Sequence, residues 1–300
     1  VQTEFGLAHV VDGAAANMGI PLVHTVHSLY WASEGPPQAS VAWFIRWALQ
    51  LVIGEKIPNI AFTPRKTDNL LRNLVLAMAR RAKQVVSPSR HQADDLAAAG
   101  VTGTISVIPN PIATAEIGSN PLTIEQARQP SFLWVARCEP VKRPLYFARA
   151  VIAALARTDN GFTVDFVGEG SDLAALKKLA AGHPEIRVQG SLPHDEVLAL
   201  MDASAAIALT SLGFDNQPMT IAEAVSRERG VLYCDPKLTE GLLNSGYLSK
   251  TPDDSGLADA LVALVEDPAL LVGLSKGALI DRELFSPSNY VERIVEVYRR

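Results

Sequence analysis

Short apolar runs, each closed by turn residues and most followed by a helical stretch, recur along this 300-residue chain, and that rhythm constrains its fold more than any other feature. In the first part, Pro21–Val26, Lys83–Ser87 and Thr104–Ile108 read as strands, while Ser40–Leu51, Thr67–Ala82 and the stretch near His91–Ala99 carry helical periodicity. Prolines and small polar residues then punctuate the chain from Pro109 to Pro130, and the rhythm restarts with strands near Phe132–Ala136, Thr163–Val167, Ile186–Gly190, Ala205–Leu209 and Val231–Cys234. Strands alternating with helices predict mostly parallel sheets covered on both faces. The reading is therefore α/β with two Rossmann-like doubly wound domains, residues 1–120 and 121–300. The first has too few strands to be complete, so a part preceding residue 1 is expected.

Composition narrows the class. Hydrophobic residues at 48% and charged residues at 20% describe a globular chain. A formal charge of −5 gives no general means of neutralising a nucleic-acid backbone, so no nucleic-acid partner is expected. Cys138 and Cys234 have no CxxC or metal-ligand spacing, which argues for a reducing cytoplasm and against a disulfide framework or a metal site. No leader-like sequence follows Val1, and the apolar stretch Ala42–Gly54 is broken by Arg46 and Gln50 and too short to span a bilayer.

Three segments can carry chemistry. In FVGEGSDLAALKKLA (residues 166–180), Gly168 and Gly170 permit a tight strand-to-helix turn with Ser171 as cap; its amides can face a phosphate, or the segment is simply a compact turn. In ARCEPVKRP, Arg137 and Lys142 bring positive charge to the carboxyl end of a strand, where open α/β sheets bind ligands; a solvated loop is the plainer reading, and Arg143 is expected to face outward. In LTSLGFDNQPMTIAEAVS (209–226), Asp215 or Asn216 can cap a helix with Pro218 in its first turn, leaving free amides for an anion, while Glu223 is either an inward carboxylate needing donors or a surface residue. His24 and His27 are three apart, so a continuing strand turns them to opposite sides; His27 is the better cleft candidate. His194 is placed at a helix start. No HExxH, GxSxG or GxxxxGK[ST] pattern occurs. Basic residues crowd positions 62–90 (Arg65, Lys66, Arg72, Arg80, Arg81, Lys83 and Arg90 against Asp68), downstream of Trp43, Phe44, Trp47 and Leu51. They read first as a basic solvated face plus aromatic core packing, and second as an approach surface for an anionic or lipid-linked acceptor.

In order and spacing these pieces resemble family 4 of the retaining GT-B glycosyltransferases across nearly the whole chain. PLVHTVHS matches the strand-to-His motif, KQVVSPS and SVIPNPI the two segments that follow, WVARCEPVKRP the Arg…Lys segment, FVGEG the glycine turn, and DNQPMTIAE the motif of two acids separated by seven residues. The resemblance implies a UDP- or GDP-linked sugar donor between two facing domains, transferred with retention to an acceptor hydroxyl of a lipid or glycan, with no cofactor and no essential metal. It implies that Arg137 and Lys142 bind the diphosphate, Glu223 the ribose, and Asp215 with Asn216, Gln217, Pro218, Met219 and Thr220 the donor sugar and distal phosphate. His27 would line the sugar–acceptor side, Gly168 and Gly170 would shape the nucleotide-side loop, and the last helix, Ser288–Arg300, would pack back on the first domain. VQTEFGLA resembles a later strand-and-loop segment of the family. A cytoplasmic enzyme, peripheral to the inner membrane face if its acceptor is lipid-linked, is the expectation. The oligomeric state is not legible.

Departures from the family pattern are Asp215 in place of Glu, Pro111 and Ala136 in place of Gly, and AVSRERGV after Glu223, which puts Glu228 at a glycine position. Two other readings stay open: a sugar-nucleotide epimerase, which needs no acceptor, and a non-catalytic nucleotide-sugar-binding module.

Overall fold

Two units are distinguished in the computed structural model, Val1–Pro109 with Val291–Arg300, and Asn110–Tyr290. It describes residues 2, 6–30, 39–53, 56–118 and 120–300. The parting at Pro109 lies upstream of the 120/121 division read from the sequence, because the intervening backbone is tied into the second unit. There the Ile112 amide donates to the Phe285 carbonyl and the Gly118 amide to that of Ser226, both at 3.0 Å.

The first unit runs α1 (Gly6–Met18), β1 (Val23–Thr25), α2 (Ala39–Ile53), α3 (Lys66–Arg81), β2 (Gln84–Ser87), α4 (Arg90–Ala98) and β3 (Thr104–Val107). Its described strands form a parallel sheet in the order β1-β2-β3. Val26, Val75, Leu76, Val85 and Leu96 fill its core. α1 corrects the strand-and-loop reading of the opening residues from Gly6 onward; Val1 and residues 3–5 lie outside the described residues. Residues 291–300 join this unit, with Arg293 donating to the Val107 carbonyl at 2.5 Å and Lys83 Nζ to that of Arg300 at 3.0 Å.

The second unit holds α5 (Ile124–Ala127), β4 (Ser131–Val135), α6 (Pro144–Leu155), β5 (Thr163–Val167), α7 (Leu173–Ala180), β6 (Ile186–Gly190), α8 (His194–Ala203), β7 (Ala206–Leu209), α9 (Met219–Ser226), β8 (Gly230–Tyr233), β9 (Gly246–Leu248), α10 (Asp254–Glu266), α11 (Pro268–Asp281) and the start of α12 (Pro287–Tyr298). All its strands pair in parallel in the order β6-β5-β4-β7-β8-β9, the doubly wound arrangement in which chain order reverses between β4 and β7. Alternation along β4 separates two cores. Phe132 and Trp134 join Phe147, Phe166 and Leu257 on one face, and Leu133 joins Ile207, Ile221 and Val225 on the other.

Two features were hidden from the sequence. β9 is three residues long, and its entry is set from afar: buried Asp281 accepts from the Asn244 and Ser245 amides, both at 2.9 Å, and from the Ser245 hydroxyl at 2.8 Å. The RER segment after α9 is a buried polar node. Glu228 takes the left-handed conformation, φ 57°, and pairs with Arg282 at 2.9 Å. Fully buried Arg229 donates to the carbonyls of Met201, Asn120, Asp202, Arg227 and Glu228. Arg229→Ala strands those carbonyls without donors, and we expect a loss of about 3–5 kcal/mol in denaturant unfolding of the second unit, against under about 1 kcal/mol for exposed Arg128→Ala.

Candidate functional site

β4 and β7 are paired neighbours between which the chain order reverses, the kind of switch point where diverging loops leave a crevice outside the carboxyl ends of the strands, and the loops leaving those two strands carry most of the residues singled out by sequence. Buried Trp134 donates through Nε1 to the Thr210 hydroxyl at 2.9 Å, and that hydroxyl donates to the Lys142 carbonyl at 2.7 Å. This chain of bonds fixes the β4 loop against the β7 loop. Beyond it, Lys142 Nζ forms an ion pair with Asp215 Oδ1, and the two side chains are only 15% and 10% exposed. The Lys142 ammonium also sits 5.2 Å from the centre of the Phe214 ring. The structure thus joins two predicted residues seventy-odd positions apart. It also corrects one role, since the Asp215 carboxylate pairs with Lys142 instead of capping α9.

α9 begins at Met219, with Pro218 as the N-cap residue and not inside the first turn. Proline offers no side-chain acceptor, so the first amides of α9, Met219 and Thr220 among them, have no cap and their partial positive charge faces the crevice end of the strands. Gln217 is spent on scaffold: its Oε1 accepts from the Asn110 amide at 2.6 Å and its Nε2 donates to the Asn110 carbonyl at 3.2 Å. Asn216 lies between these two, in the same loop. Asp235, which sequence reading missed, follows β8 and accepts the Gly213 amide at 2.6 Å, holding the loop where Gly213 has φ 65°.

The glycines after β5 act by close approach. A Cβ on Gly168, φ 138°, would lie 1.8 Å from the Ala136 carbonyl oxygen, and one on Gly170 2.4 Å from that of Cys138. Their absence lets the two loops bond backbone to backbone, Cys138 N–H to Glu169 O at 2.8 Å and Asp172 N–H to Cys138 O at 2.8 Å. The Gly168 amide donates to Gly190 O at 2.7 Å, so it is committed to the sheet edge and not offered to an anion. Asp172, not Ser171, stands at the N-cap of α7 and makes no side-chain cap bond. Burial pushes the Cys138 and Cys234 thiols up to about 11, with Asp172 adding to the former, so neither is a ready nucleophile.

Arg137 points into solvent, 62% exposed, paired with Glu139 at 2.6 Å. Arg143 corrects the outward expectation: it adopts φ 59°, donates to the Pro252 carbonyl at 2.6 Å and stacks 4.3 Å from the Tyr146 ring centre. Glu223, in the second turn of α9, is half-buried. Burial raises its pKa, His194 opposes the rise and Glu116 adds to it. His194 Nε2 lies 3.5 Å from Glu116 Oε1. That pair escaped sequence reading because Glu116 is contributed by the segment before α5. His27 lies in the first unit just past β1, its Nε2 2.9 Å from Gln2 Oε1, and His24 is buried within β1.

Two family descriptions match the chain, "Glycosyltransferase Family 4" over residues 1–116 and "Glycosyl transferases group 1" over residues 129–267. Among curated proteins, the D-inositol 3-phosphate glycosyltransferase of Nocardioides sp. (strain ATCC BAA-499 / JS614) is 29% identical over 187 residues, taking in 56% of this chain and 41% of that protein. The chain therefore spans about two fifths of the curated relative it matches. Among solved structures, Anabaena HepE in complex with UDP-glucose is similar with a TM-score of 0.67 at 18% identity, over 99% of this chain and 78% of that one. Sucrose-phosphate synthase from Thermosynechococcus elongatus gives 0.66 at 18%, over 98% and 76%. S. aureus TarM gives 0.64 at 18%, over 81% and 48%. These likenesses, with the parallel sheets, define the GT-B class of fold. The chain belongs to glycosyltransferase family 4.

Two outcomes follow from the site's electrostatics. A double-mutant cycle of Lys142→Ala and Asp215→Ala, read by denaturant unfolding, should give a coupling of about 1–3 kcal/mol, since each single change removes the ion-pair partner of a largely buried charge. Because burial raises the Glu223 pKa, the fold favours its protonated form; the associated stability is full below the unfolded carboxylate's pKa and is lost as pH rises through the folded one. Glu223→Gln should therefore melt above the parent at pH 7, with the advantage vanishing near pH 4, as calorimetric melting at the two pH values will show.

Proposed function

We propose that the second unit binds a nucleotide-sugar donor, with UDP as the nucleotide, and that the whole protein transfers the sugar with retention of configuration to an acceptor hydroxyl. The observation that carries this reading is the Lys142–Asp215 pair beside the uncapped start of α9, at the point where the strand order reverses. A diphosphate entering there meets Lys142 and the amides of Met219 and Thr220, and Arg137 can leave Glu139 at little cost because that pair is exposed. In drawing Lys142 toward phosphate, the ligand frees the Asp215 carboxylate to accept from donor-sugar hydroxyls. Glu223 then accepts from the ribose hydroxyls, donors that offset the cost of its burial. His27 is assigned to the sugar–acceptor side by the family resemblance.

The chemistry follows from where charge develops. As the glycosidic C–O bond lengthens, negative charge grows on the leaving phosphate oxygen, and Lys142, Arg137 and the helix end stabilise it more in the transition state than in the ground state. The leaving phosphate takes the acceptor proton on the same face. Positive charge comes from side chains and backbone, so the proposal invokes no cofactor. Supporting UDP over GDP are the UDP and UDP-glucose complexes of HepE, a protein of the same fold. The curated relative's name supports a hydroxyl of a phosphorylated polyol as one acceptor class.

Titration calorimetry with UDP, GDP, ADP and CMP, with Glu223→Ala beside the parent, tests the donor site. UDP should bind selectively, and Glu223→Ala should weaken it about tenfold or more. No binding of any nucleotide to folded protein would sink the reading. Isomerised donor formed without acceptor would point to an epimerase instead.

A further inference from the structure

The helix α2 is apolar on two sides. Ala42 is buried, and Leu49 packs on Ile57, Leu70 and Leu74, which accounts for the inner side. The opposite side carries Trp43, Phe44, Trp47 and Leu51, whose spacing places them within about a third of a turn of one another. They are 69%, 58%, 50% and 65% exposed. This corrects the expectation that the aromatics pack into the core. A helix apolar all round is ordinarily enclosed. Here the inner side is firmly seated, because Arg46 donates to the carbonyls of Ile57 and Pro58, and Asn73 and Asn69 of α3 grip the backbone at Ile60 and Phe62–Thr63. The outer side is thus presented by a fixed platform.

Charge says what it faces. Residues 39–67 carry Arg46, Lys56, Arg65 and Lys66 against one acid, Glu55. Arg46 donates to the carbonyls of Ile57 and Pro58 and to the Asn59 side chain. Arg46 and Lys66 share with Trp43, Trp47, Gln50 and Asn69 the wall of a cavity of about 700 Å³ between α2 and α3. Indoles and aliphatic side chains beside basic groups match the boundary between acyl chains and anionic headgroups. At 15 residues α2 is too short to cross a bilayer and fits one lying in its plane; among the described residues no helix is long and apolar enough to cross a membrane.

We infer that the outer face of α2 docks on the surface of an anionic bilayer, with Trp43, Phe44, Trp47 and Leu51 at the acyl boundary and the exposed Arg65 and Lys66 against lipid phosphate. The inference does not rest on the donor-site proposal. Co-sedimentation with phosphatidylcholine vesicles containing 30% phosphatidylglycerol, against phosphatidylcholine alone, tests it. We expect the bound fraction of the parent chain to be at least tenfold higher on the anionic vesicles and to fall with added salt. Trp43→Ser/Phe44→Ser/Trp47→Ser should abolish binding while keeping the parent's circular dichroism, and Arg65→Glu/Lys66→Glu, which leaves the apolar face intact, should lower it at least fivefold. No binding to anionic vesicles, equal binding to both kinds, or retention of binding by the folded triple variant would overturn the inference. So would a parent dimer that the triple change converts to monomer, since a second copy would then cover the face.

Discussion

The bonds from Trp134 through the Thr210 hydroxyl to the Lys142 carbonyl hold together the two loops on which everything else at the crevice depends. A doubly wound sheet sends the chain to opposite faces after β4 and β7, and the resulting gap exposes polar backbone at the strand ends. Closing that gap with one indole donor and one hydroxyl places a lysine from one loop against an aspartate from the other. The glycines after β5 complete the frame by permitting backbone contact with the β4 loop that no Cβ could survive. The floor of the crevice is thus tied by hydrogen bonds between loops, and Lys142 and Asp215 extend from those loops.

Those charges are arranged at some cost to the fold. Glu223 is kept half-buried, where burial opposes ionisation, His194 relieves it and Glu116 adds to the burden. Lys142 and Asp215 satisfy each other across the crevice. On the proposed donor reading, both groups exchange these surroundings for a ligand's hydroxyls and phosphate oxygens. The neighbouring RER node follows a different logic. Glu228 accepts a left-handed backbone, a strain of about 1 kcal/mol, and with Arg229 and Arg282 replaces a flexible glycine turn by a saturated set of charged hydrogen bonds.

The strands of the second unit were legible because buried parallel strands are short, β-branched or aromatic runs, and β4, β5, β6, β7 and β8 fall within a residue of where such runs lie. β9 was not, since Gly-Tyr-Leu has no run to read and its position is fixed by Asp281 from α11. The motif of two acids and the Arg…Lys segment lie on and after the loops that leave β7 and β4. They did not show that Asp215 belongs to Lys142, that Gln217 is committed to Asn110, or that Glu223 shares its surroundings with His194 and Glu116. The partners in each case are distant in sequence, and spacing along a chain says nothing about which polar groups meet across a sheet edge. The same reason explains Trp43, Phe44 and Trp47: apolar character predicts burial, but only the packing of α2 shows which of its two apolar sides is covered.

By itself the sequence determined the class: the period of its strands and helices, the glycines at the β5 turn and the order of the family motifs. These are local or additive properties, written in residue type and spacing. Tertiary structure alone decided the pairings: which loop faces which, which charges neutralise one another, which predicted ligand groups are already committed to scaffold, and which apolar surface is left for something outside the chain. Pairing depends on distance in space, and the fold is what converts 73 residues of sequence separation between Lys142 and Asp215 into a hydrogen bond.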